Sequence, residues 1–372
     1  MTRRVLLVGA GLAHLHLLHA LAREPIAGAE LMLVSPSPHV IYSGMVPGLV
    51  AGRYTLAQCQ IALAPLADAA GVRRAETAAC GLDAGARRVR LADGREAGYD
   101  LLSLDCGGVI SRDRIPGARE HGLFVRPLEH FASLLDPLLA LAAQRALDVV
   151  VIGGGAAGVE LALALQQRLG EASDRPSRVA LVTGGPPPMA SHPASVQARV
   201  ARELARRRIT VFRQACASIQ AGAIVLDSGA RLACDAPVIA TGPEAPPWLA
   251  GSGLALDDAG FVRTGATLQS VSHPEVLACG DVAARDDAPT VRSGVHAVRA
   301  APAMVANLRR LLAGQPLLPW RPPARTLNLM SCADGRAIVS WGQTSAQGRW
   351  AGIWKDHIDR GFVARGGRLT RV

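Results

Sequence analysis

The segment Leu147-Asp-Val-Val-Val-Ile152-Gly153-Gly-Gly155-Ala-Ala-Gly158 decides the fold of this chain. Its first half is a short, mostly apolar run, which predicts a buried parallel strand. Its second half is a complete Gly-x-Gly-x-x-Gly pattern, and a helix is predicted from Val159 onward. Glycines at this spacing permit a tight turn and a close approach of a pyrophosphate, which the helix N-terminus stabilises. The motif predicts a dinucleotide site, although a glycine turn without a ligand has the same pattern.

The residues expected at this site lie where neighbouring predicted strands end. They are Gly153, Gly155, Ala156, Gly158, Thr183, Thr241 and Gly242. The strand that follows the fingerprint ends at Thr183-Gly184-Gly185, without an acid. The 2′-phosphate of NADPH is therefore not repelled by a carboxylate, and no adjacent arginine in the sequence attracts it. Both NADH and NADPH stay open.

A less regular fingerprint lies near the N-terminus. The apolar run Val5-Leu-Leu-Val8 predicts a strand, and Gly9-Ala-Gly11-Leu-Ala-His14 follows it before a segment of helical period. Below, Gly9–His14 is the N-terminal turn and Gly153–Gly158 the central turn. His14 replaces the third glycine, so its helix is expected to lie further from the strand or to tilt. His14 is interpreted either as a polar residue near the solvent face of its helix or as a group beside the pyrophosphate.

The strand after the N-terminal turn ends in Ser35, where a carboxylate would usually hold a ribose hydroxyl. Serine can form one hydrogen bond there, but without charge assistance the contact is weaker. Two nucleotide sites in one chain suggest electron transfer between two bound cofactors. A flavin is the natural partner of a nicotinamide, because it accepts a hydride and releases electrons singly or in pairs.

The composition is that of a globular protein. The 372 residues are 49% hydrophobic and 19% charged, with a net charge of +10. The arginines that supply this charge are scattered among alanines, so we expect no nucleic-acid partner. The seven cysteines are dispersed and form no Cys-x-x-Cys or zinc pattern, which predicts no metal site and indicates a reducing, cytoplasmic compartment. No apolar run of about 18 residues is present, so no spanning helix is expected.

Three further motifs follow the turns in a characteristic order. An apolar strand leads into Cys106-Gly-Gly108, and Ala240-Thr-Gly242 and Leu277-Ala-Cys-Gly-Asp281 come later. This order resembles the two-dinucleotide-domain flavoprotein family, which includes the pyridine nucleotide-disulfide oxidoreductases and the type II NADH dehydrogenases. The resemblance covers about residues 3–320. It implies FAD at the N-terminal turn and NADH or NADPH at the central turn.

The resemblance also implies the fold. We expect an α/β protein with two Rossmann-like, three-layer domains, the second inserted in the first, and a small C-terminal α+β tail. The FAD-binding domain is predicted to span residues 1–110 and 242–320, and the NAD(P)-binding domain residues 111–241. Residues 321–372 are predicted to form a hairpin and an amphipathic helix.

Site residues carry over position by position. The FAD-binding residues that the resemblance implies are Gly9, Gly11, Leu12, Ala13, His14, Ser35, Pro36, Ser43, Gly44, Met45, Cys106, Gly107, Gly280, Asp281, Gly294 and Val295. By the same analogy Glu160 lies near the nicotinamide, and Pro47 forms a wall of the flavin site. Arg292 or His296 is expected to stabilise the reduced flavin.

A narrower resemblance rests on short motifs outside the turns. They are His39, Tyr42-Ser-Gly-Met45, Pro47-Gly48, Gly348-Arg-Trp350, Trp354-Lys-Asp356 and Ile358-Asp-Arg360. They look like the flavoprotein found fused to selenophosphate synthetase in some bacteria. Since this chain lacks the synthetase portion, it is interpreted as a stand-alone relative.

The loop from Tyr42 to Pro47 contains no cysteine, whereas disulfide reductases carry their redox pair in the loop that faces the flavin. We therefore expect hydride transfer from NAD(P)H to flavin N5, and then electron transfer to a small-molecule acceptor without a dithiol. A quinone or a small sulfur or selenium compound fits that acceptor, as does a protein. The alternative is a flavin-stabilised interaction or regulatory protein with little turnover.

The C-terminal tail combines aromatic and basic residues at helical spacing. Trp350, Ile353, Trp354, Ile358 and Phe362 alternate with basic side chains between positions 349 and 365. Such a helix can lie in a membrane interface, which would place the protein at the inner face of the cytoplasmic membrane. The alternatives are packing against the chain's own flavin domain or against a second subunit in a homodimer.

Overall fold

The computed structural model describes residues 2–172, 177–288 and 292–367. The N-terminal segment alternates short buried strands with helices, as its apolar runs predict. Its strands are β1 (Arg3–Val8), β2 (Ala29–Val34), β3 (His39–Ile41), β4 (Gln60–Ala62), β5 (Val72–Ala75), β6 (Ala79–Asp83), β7 (Arg88–Leu91), β8 (Glu96–Gly98) and β9 (Leu101–Leu104). Its helices are α1 (Leu12–Arg23), α2 (Val46–Val50), α3 (Leu56–Cys59) and α4 (Leu63–Ala69).

The middle of the chain repeats this organisation. Its strands are β10 (Leu123–Phe124), β11 (Asp148–Ile152), β12 (Arg178–Val182), β13 (Thr210–Phe212), β14 (Cys216–Gln220), β15 (Ala223–Leu226), β16 (Arg231–Ala233) and β17 (Ala236–Ile239). Its helices are α5 (Ala118–His121), α6 (Leu128–Gln144), α7 (Ala156–Ala172) and α8 (Ala194–Arg206). The last part contains β18 (Val262–Thr264), β19 (Val276–Ala278), β20 (Ala283–Arg285), α9 (Gly294–Leu312), β21 (Leu327–Ser331), β22 (Ala337–Trp341), β23 (Thr344–Gly348) and α10 (Arg349–Gly367).

Two parallel sheets form the body of the protein. The first has the strand order β19-β9-β1-β2-β5, and the second β10-β17-β11-β12-β13. Because β19 pairs with β9 after the whole second sheet has been completed, the second unit is inserted in the first. The predicted fold class is therefore confirmed. The domain boundaries at 110, 241 and 320 stay predictions.

The first unit has three layers. Leu17, Leu18 and Leu21 of α1 pack with residues of α4 and α9 on one face of the parallel sheet. On the other face, Val89 and Tyr99 join the core that lies beneath the antiparallel sheet β6-β7-β8. Strands buried on both faces explain why the parallel strands have continuous apolar runs without alternation.

The C-terminal tail is a sheet followed by one long helix. The two predicted hairpin strands occur as β21 and β22, and β23 adds a third antiparallel strand that the sequence analysis missed. The buried carboxylate of Glu203 on α8 fixes this sheet to the second unit. It accepts hydrogen bonds from Arg336 at 2.8 Å and from the Gln347 amide at 2.6 Å, and it pairs with Arg206.

Candidate functional site

The glycines of the central turn have separate structural roles. A Cβ at Gly153, where φ is +141°, would lie 2.2 Å from the Ala240 carbonyl oxygen, so β11 and β17 approach too closely for a side chain. A Cβ at Gly158 would lie 1.9 Å from the Gly153 oxygen, which shows the close packing of α7 on the turn. At Gly155 nothing lies within 4 Å. The turn therefore leaves open space beside the N-terminus of α7, as a bound pyrophosphate requires.

The other residues predicted at this site end the neighbouring strands. Thr183 follows β12 and donates its hydroxyl hydrogen to the Pro186 carbonyl at 2.5 Å. Thr241 and Gly242 follow β17, next to the Gly153 turn. The structure also brings the exposed Arg213 to this edge, where its Nε donates to the Gly185 carbonyl at 3.2 Å. No arginine adjoins this strand end in the sequence, but Arg213 reaches it in the fold because β13 pairs beside β12.

The N-terminal turn is built differently, because Asp105 fills it. A Cβ at Gly9 would lie 2.3 Å from Cys106 Cα, and one at Gly11 would lie 2.4 Å from the Asp105 carboxylate. Asp105 Oδ2 accepts hydrogen bonds from the Ala13 and His14 N–H groups at 2.8 and 2.9 Å. Asp105 was not among the predicted site residues.

His14 lies under the N-terminal turn and is fully buried. Its Nδ1 is 2.5 Å from the Gly9 carbonyl oxygen, and its Nε2 is 2.8 Å from Ser103 Oγ on β9. The interpretation of His14 as a residue of the solvent face is wrong, since its ring lies between α1 and the sheet. Burial lowers the pKa of His14 to about 4, so the ring is neutral near pH 7.

The N-terminal turn, the cysteine-free loop and the start of α9 converge. A Cβ at Gly294 would lie 3.1 Å from Leu12 Cδ1 and 4.0 Å from Ser43 Oγ. Gly280, with φ +74°, lies against Asp105, and a Cβ there would be 2.7 Å from Asp105 Oδ1. Small residues thus line the space between the three elements, so the predicted site fits a dinucleotide that crosses the end of the first sheet.

Asp281, predicted at the cofactor, is held by an arginine that the sequence analysis did not single out. Arg126 donates to Asp281 Oδ2 at 3.1 Å and to the Gly108 carbonyl at 3.3 Å. The remaining predicted FAD-site residues lie in or next to these elements, and their roles stay predictions. They are Ser35, Pro36, Gly44, Cys106, Gly107 and Val295.

The cysteine-free loop is held between buried residues on one side and the tail helix α10 on the other. Met45 is fully buried in the core that the loop shares with the second unit, and Pro47 is buried at the start of α2. On the other side, the Lys355 ammonium on α10 donates to the Gly44 carbonyl at 2.8 Å. Tyr42 stacks on Phe362 of the same helix, with ring centroids 4.4 Å apart. The C-terminal helix is therefore part of the site that the loop forms.

Glu160 lies near enough to Lys355 to be affected by its charge. Its Oε1 accepts a hydrogen bond from the Ser331 N–H at 2.6 Å, which joins α7 to the tail sheet. Burial raises the pKa of Glu160 to about 6, while the Lys355 charge opposes the shift. Lys355 also donates to Asp359 Oδ2 at 2.8 Å, and burial raises the pKa of Asp359. Gly44, Gly48, Lys355 and Asp359 line a cleft beside these groups.

The two other predicted catalytic residues lie apart from this cluster. The Arg292 guanidinium stacks 3.5 Å above the Phe261 ring centroid and pairs with Asp257 at 3.5 Å. His296 Nδ1 is 2.9 Å from Ser293 Oγ, and His296 lines a cleft with Gly280. Burial lowers the pKa of His296. A role for either residue beside the flavin stays a prediction.

The cysteines are free thiols and most are shielded. Burial raises the pKa of Cys59 to about 11 and that of Cys106 and Cys332 to about 12. Since the thiolate is the reactive form, the raised pKa values disfavour reactivity of these three thiols near neutral pH.

The aromatic residues of the tail helix lie on different sides of it, because Phe362 packs on Tyr42 whereas Trp350 and Trp354 are exposed. Its buried residues include Ala351, Gly352 and the carboxylate of Asp359. Trp350 and Trp354 stack with centroids 6.4 Å apart, and together with Ile353 they face solvent, Ile353 with 70% of its surface exposed. Of the helices that the structure describes, none has the length and apolarity to cross a membrane.

Comparison with known proteins agrees with this architecture. Residues 3–303 match the model of a protein family described as pyridine nucleotide-disulphide oxidoreductase. The chain belongs to this family. Membership confirms that it is a flavoprotein oxidoreductase whose cofactors are FAD and NAD(P)H.

Three individual relatives have low sequence identity to this chain but match most of its length. The demethylphylloquinone reductase NdbB of Synechocystis sp. is 27% identical over 359 residues, which cover 91% of this chain and 87% of that protein. The sulfide:quinone oxidoreductase of Aquifex aeolicus superposes with a TM-score of 0.82 at 17% identity, covering 99% of this chain and 93% of that one. NDH2 of Plasmodium falciparum, solved in complex with NADH, also gives 0.82 at 10% identity, with 100% of both chains covered. Both structures share the fold.

Proposed function

We propose that this family member oxidises NAD(P)H through FAD and reduces a quinone, with FAD at the N-terminal turn and NAD(P)H at the central turn. Bound FAD supplies the chemistry that joins the two half-reactions, because it takes a hydride and releases electrons singly or in pairs. The observation that carries the proposal is the contact of Lys355 with Gly44, next to Glu160 and Asp359, on a loop that contains no cysteine.

The cluster around Glu160 is suited to supply a proton. Quinone reduction consumes protons as well as electrons, and a carboxyl group with a pKa of about 6 is partly protonated near neutral pH. The Ser331 N–H holds Glu160 in place, and Lys355 opposes the rise in its pKa that burial causes. Glu160 therefore acts as the proton donor to the acceptor in this proposal, rather than as a residue of the nicotinamide site alone.

A quinone is favoured over sulfur and selenium acceptors. Reduction of a disulfide or a persulfide uses a low-pKa thiol, whereas Cys59, Cys106 and Cys332 all have raised pKa values. The demethylphylloquinone reductase that the chain resembles acts on a quinone by its name. The likeness to the flavoprotein fused to selenophosphate synthetase rests on the short motifs at His39 to Gly48 and in the tail, and it stays a prediction.

A quinone that is dissolved in lipid also gives a role to the exposed aromatic residues. Trp350, Ile353 and Trp354 form an apolar patch beside the exposed Arg349. Aromatic rings flanked by basic residues are typical of a helix at the membrane interface. We therefore propose peripheral contact with the cytoplasmic membrane through this patch, in preference to a homodimer interface.

Anaerobic titration with NADH and NADPH tests the function. We expect either nucleotide to bleach the absorbance of the bound flavin. Addition of a soluble quinone should then restore the absorbance, at a rate at least as high as that of steady-state turnover. If neither nucleotide bleaches the flavin, the oxidoreductase proposal fails and the interaction or regulatory alternative replaces it. If bleaching occurs but only a disulfide or an oxidised selenium compound restores the absorbance, the quinone assignment is wrong.

A further inference from the structure

The first observation is the position of Asp105 at the end of β9. Its Oδ2 accepts both N–H groups of Ala13 and His14 at the N-terminus of α1, where an anion is normally stabilised. Its side chain lies between Gly11 and Gly280, which flank it at distances that admit no Cβ. Asp105 is 3% exposed, and both of these hydrogen bonds are made to Oδ2 and not to Oδ1.

The second observation is the contrast with the central turn. There the equivalent glycine, Gly155, faces open space. At the N-terminal turn, the carboxylate of Asp105 occupies the space next to Gly11 that is open next to Gly155. A dinucleotide brings two phosphate charges to such a turn, so at this site it meets an acidic side chain of the protein.

The third observation is the charge around Asp105. Its neighbours are the neutral His14 on α1, the thiols of Cys106 and Cys279, and the carboxylate of Asp281. Arg126 is engaged by Asp281 and by the Gly108 carbonyl. Among the described residues no cation forms an ion pair with Asp105. Burial and the Asp281 charge raise the pKa of Asp105 to about 8, although the two N–H groups oppose the shift.

We propose that Asp105 takes up a proton when FAD binds at the N-terminal turn, so that the bound state contains a neutral carboxylic acid beside the pyrophosphate. The inference rests on the proposed assignment of FAD to this turn. The proton comes from solvent, the carboxylate becomes a carboxylic acid, and no redox change is involved. The acid retains an oxygen that accepts the Ala13 and His14 N–H groups, and Oδ1 becomes a hydroxyl that can donate a hydrogen bond.

The proposal predicts a specific dependence on pH. Below the pKa of about 8, Asp105 is already protonated in the free protein, so FAD binds with little proton uptake. Above it, FAD binding must raise the pKa further, and the affinity falls by about tenfold for each unit of pH. Uptake should therefore approach about one proton per FAD at about pH 9 and fall close to zero at about pH 6.

Calorimetric titration of the deflavinated full chain with FAD tests this. The proton uptake is obtained from the binding enthalpy in buffers that have different enthalpies of ionisation. We expect wild type and the control Asp93→Asn, an exposed carboxyl in the turn after β7, to show uptake that rises with pH. Asp105→Asn should bind FAD with no uptake at this site and with an affinity that no longer falls above about pH 8.

An infrared difference spectrum of wild type, FAD-bound minus free at about pH 9, gives a second measurement that does not depend on the variant folding. A band of a newly protonated carboxylic acid is expected. FAD binding without proton uptake and without this band overturns the inference but leaves the proposed function intact. Absence of FAD binding overturns both.

Discussion

The Lys355 ammonium donates a hydrogen bond of 2.8 Å to the carbonyl oxygen of Gly44. One residue belongs to the last helix and the other to the cysteine-free loop, so the tail completes the site instead of merely following it. Lys355 also pairs with Asp359 at 2.8 Å, and its charge opposes the rise that burial causes in the pKa of Glu160. This side chain therefore couples the position of the loop to the protonation of the carboxyl group that we propose as the proton donor.

Replacement of Lys355 by methionine should shift the pH profile of quinone reduction. A proton donor is active in its protonated form, so the rate falls as pH rises through the pKa of Glu160, near 6. Loss of the positive charge removes the influence that opposes the raised pKa, and the midpoint should move up by about one unit. The matched control is Arg360→Met on the same helix, where Arg360 pairs with Asp356. An equal shift in both variants would contradict the assignment.

Replacement of Glu160 by glutamine should remove that limb of the profile altogether. The amide oxygen can still accept the Ser331 N–H, so the fold is retained, but no proton can be donated. We expect turnover with quinone to fall by about 10²-fold, while the rate of flavin bleaching by NAD(P)H is unchanged. Glu171→Gln, an exposed position on the same helix, is the control. Equal loss in bleaching and turnover would place Glu160 at the nicotinamide instead.

The fold could be predicted from local patterns because parallel strands and glycine turns are local features. The run from Leu147 to Gly158 contains both a strand and a glycine turn in one continuous segment. The insertion of one unit in the other was implied by the family resemblance, which the order of motifs carries. The third tail strand, Thr344–Gly348, was missed because only the first of its residues, Thr-Ser-Ala-Gln-Gly, is β-branched and none is aromatic, so the segment has little strand preference.

The site was less predictable because its decisive contacts join distant segments. Asp105 was passed over, although β9 pairs with β1 and the carboxyl ends of parallel strands share one edge. The available signal in the sequence was the position of Asp105 directly after the apolar run Leu101 to Leu104, which ends beside the N-terminal turn when the two strands pair. Arg213 has no such signal in the sequence, since only the pairing of β13 with β12 brings it to Gly185. The exposure of Trp350 depends on which face of α10 meets the loop, and helical spacing alone does not decide that.

A methyl group at Gly155 should weaken nucleotide binding without disturbing the fold. A Cβ there meets nothing within 4 Å in the protein, so any effect arises in the space that the ligand approaches. For Gly155→Ala we expect KM for NAD(P)H to rise by about tenfold, with unchanged FAD content. Gly170→Ala lies on the same helix, also with nothing within 4 Å, and should only stabilise it by about 1 kcal/mol. An unchanged KM in Gly155→Ala would show that the central turn does not hold the nucleotide.

Arg213 should favour NADPH over NADH. Arg213 follows β13 and donates to Gly185, just beyond the end of β12, where an arginine accommodates a 2′-phosphate. Thr183-Gly184-Gly185 offers no opposing acid. In Arg213→Gln we expect KM for NADPH to rise by about tenfold, while KM for NADH stays constant. Arg178→Gln, at the opposite end of the same strand, should change neither value. Equal effects on the two nucleotides would contradict a contact with the phosphate.

The exposed aromatic patch should govern binding to lipid. The double replacement Trp350→Gln and Trp354→Gln removes two stacked rings that face solvent, whereas the contacts of α10 with the loop run through Lys355 and Phe362. We expect sedimentation with vesicles of anionic phospholipid to fall by about tenfold, and turnover with a soluble quinone to be retained. Leu318→Gln, which alters a side chain 43% exposed outside the patch, is the matched control. Undiminished vesicle binding by the double variant would contradict the membrane role of the patch, and a change from dimer to monomer would assign the patch to a partner subunit.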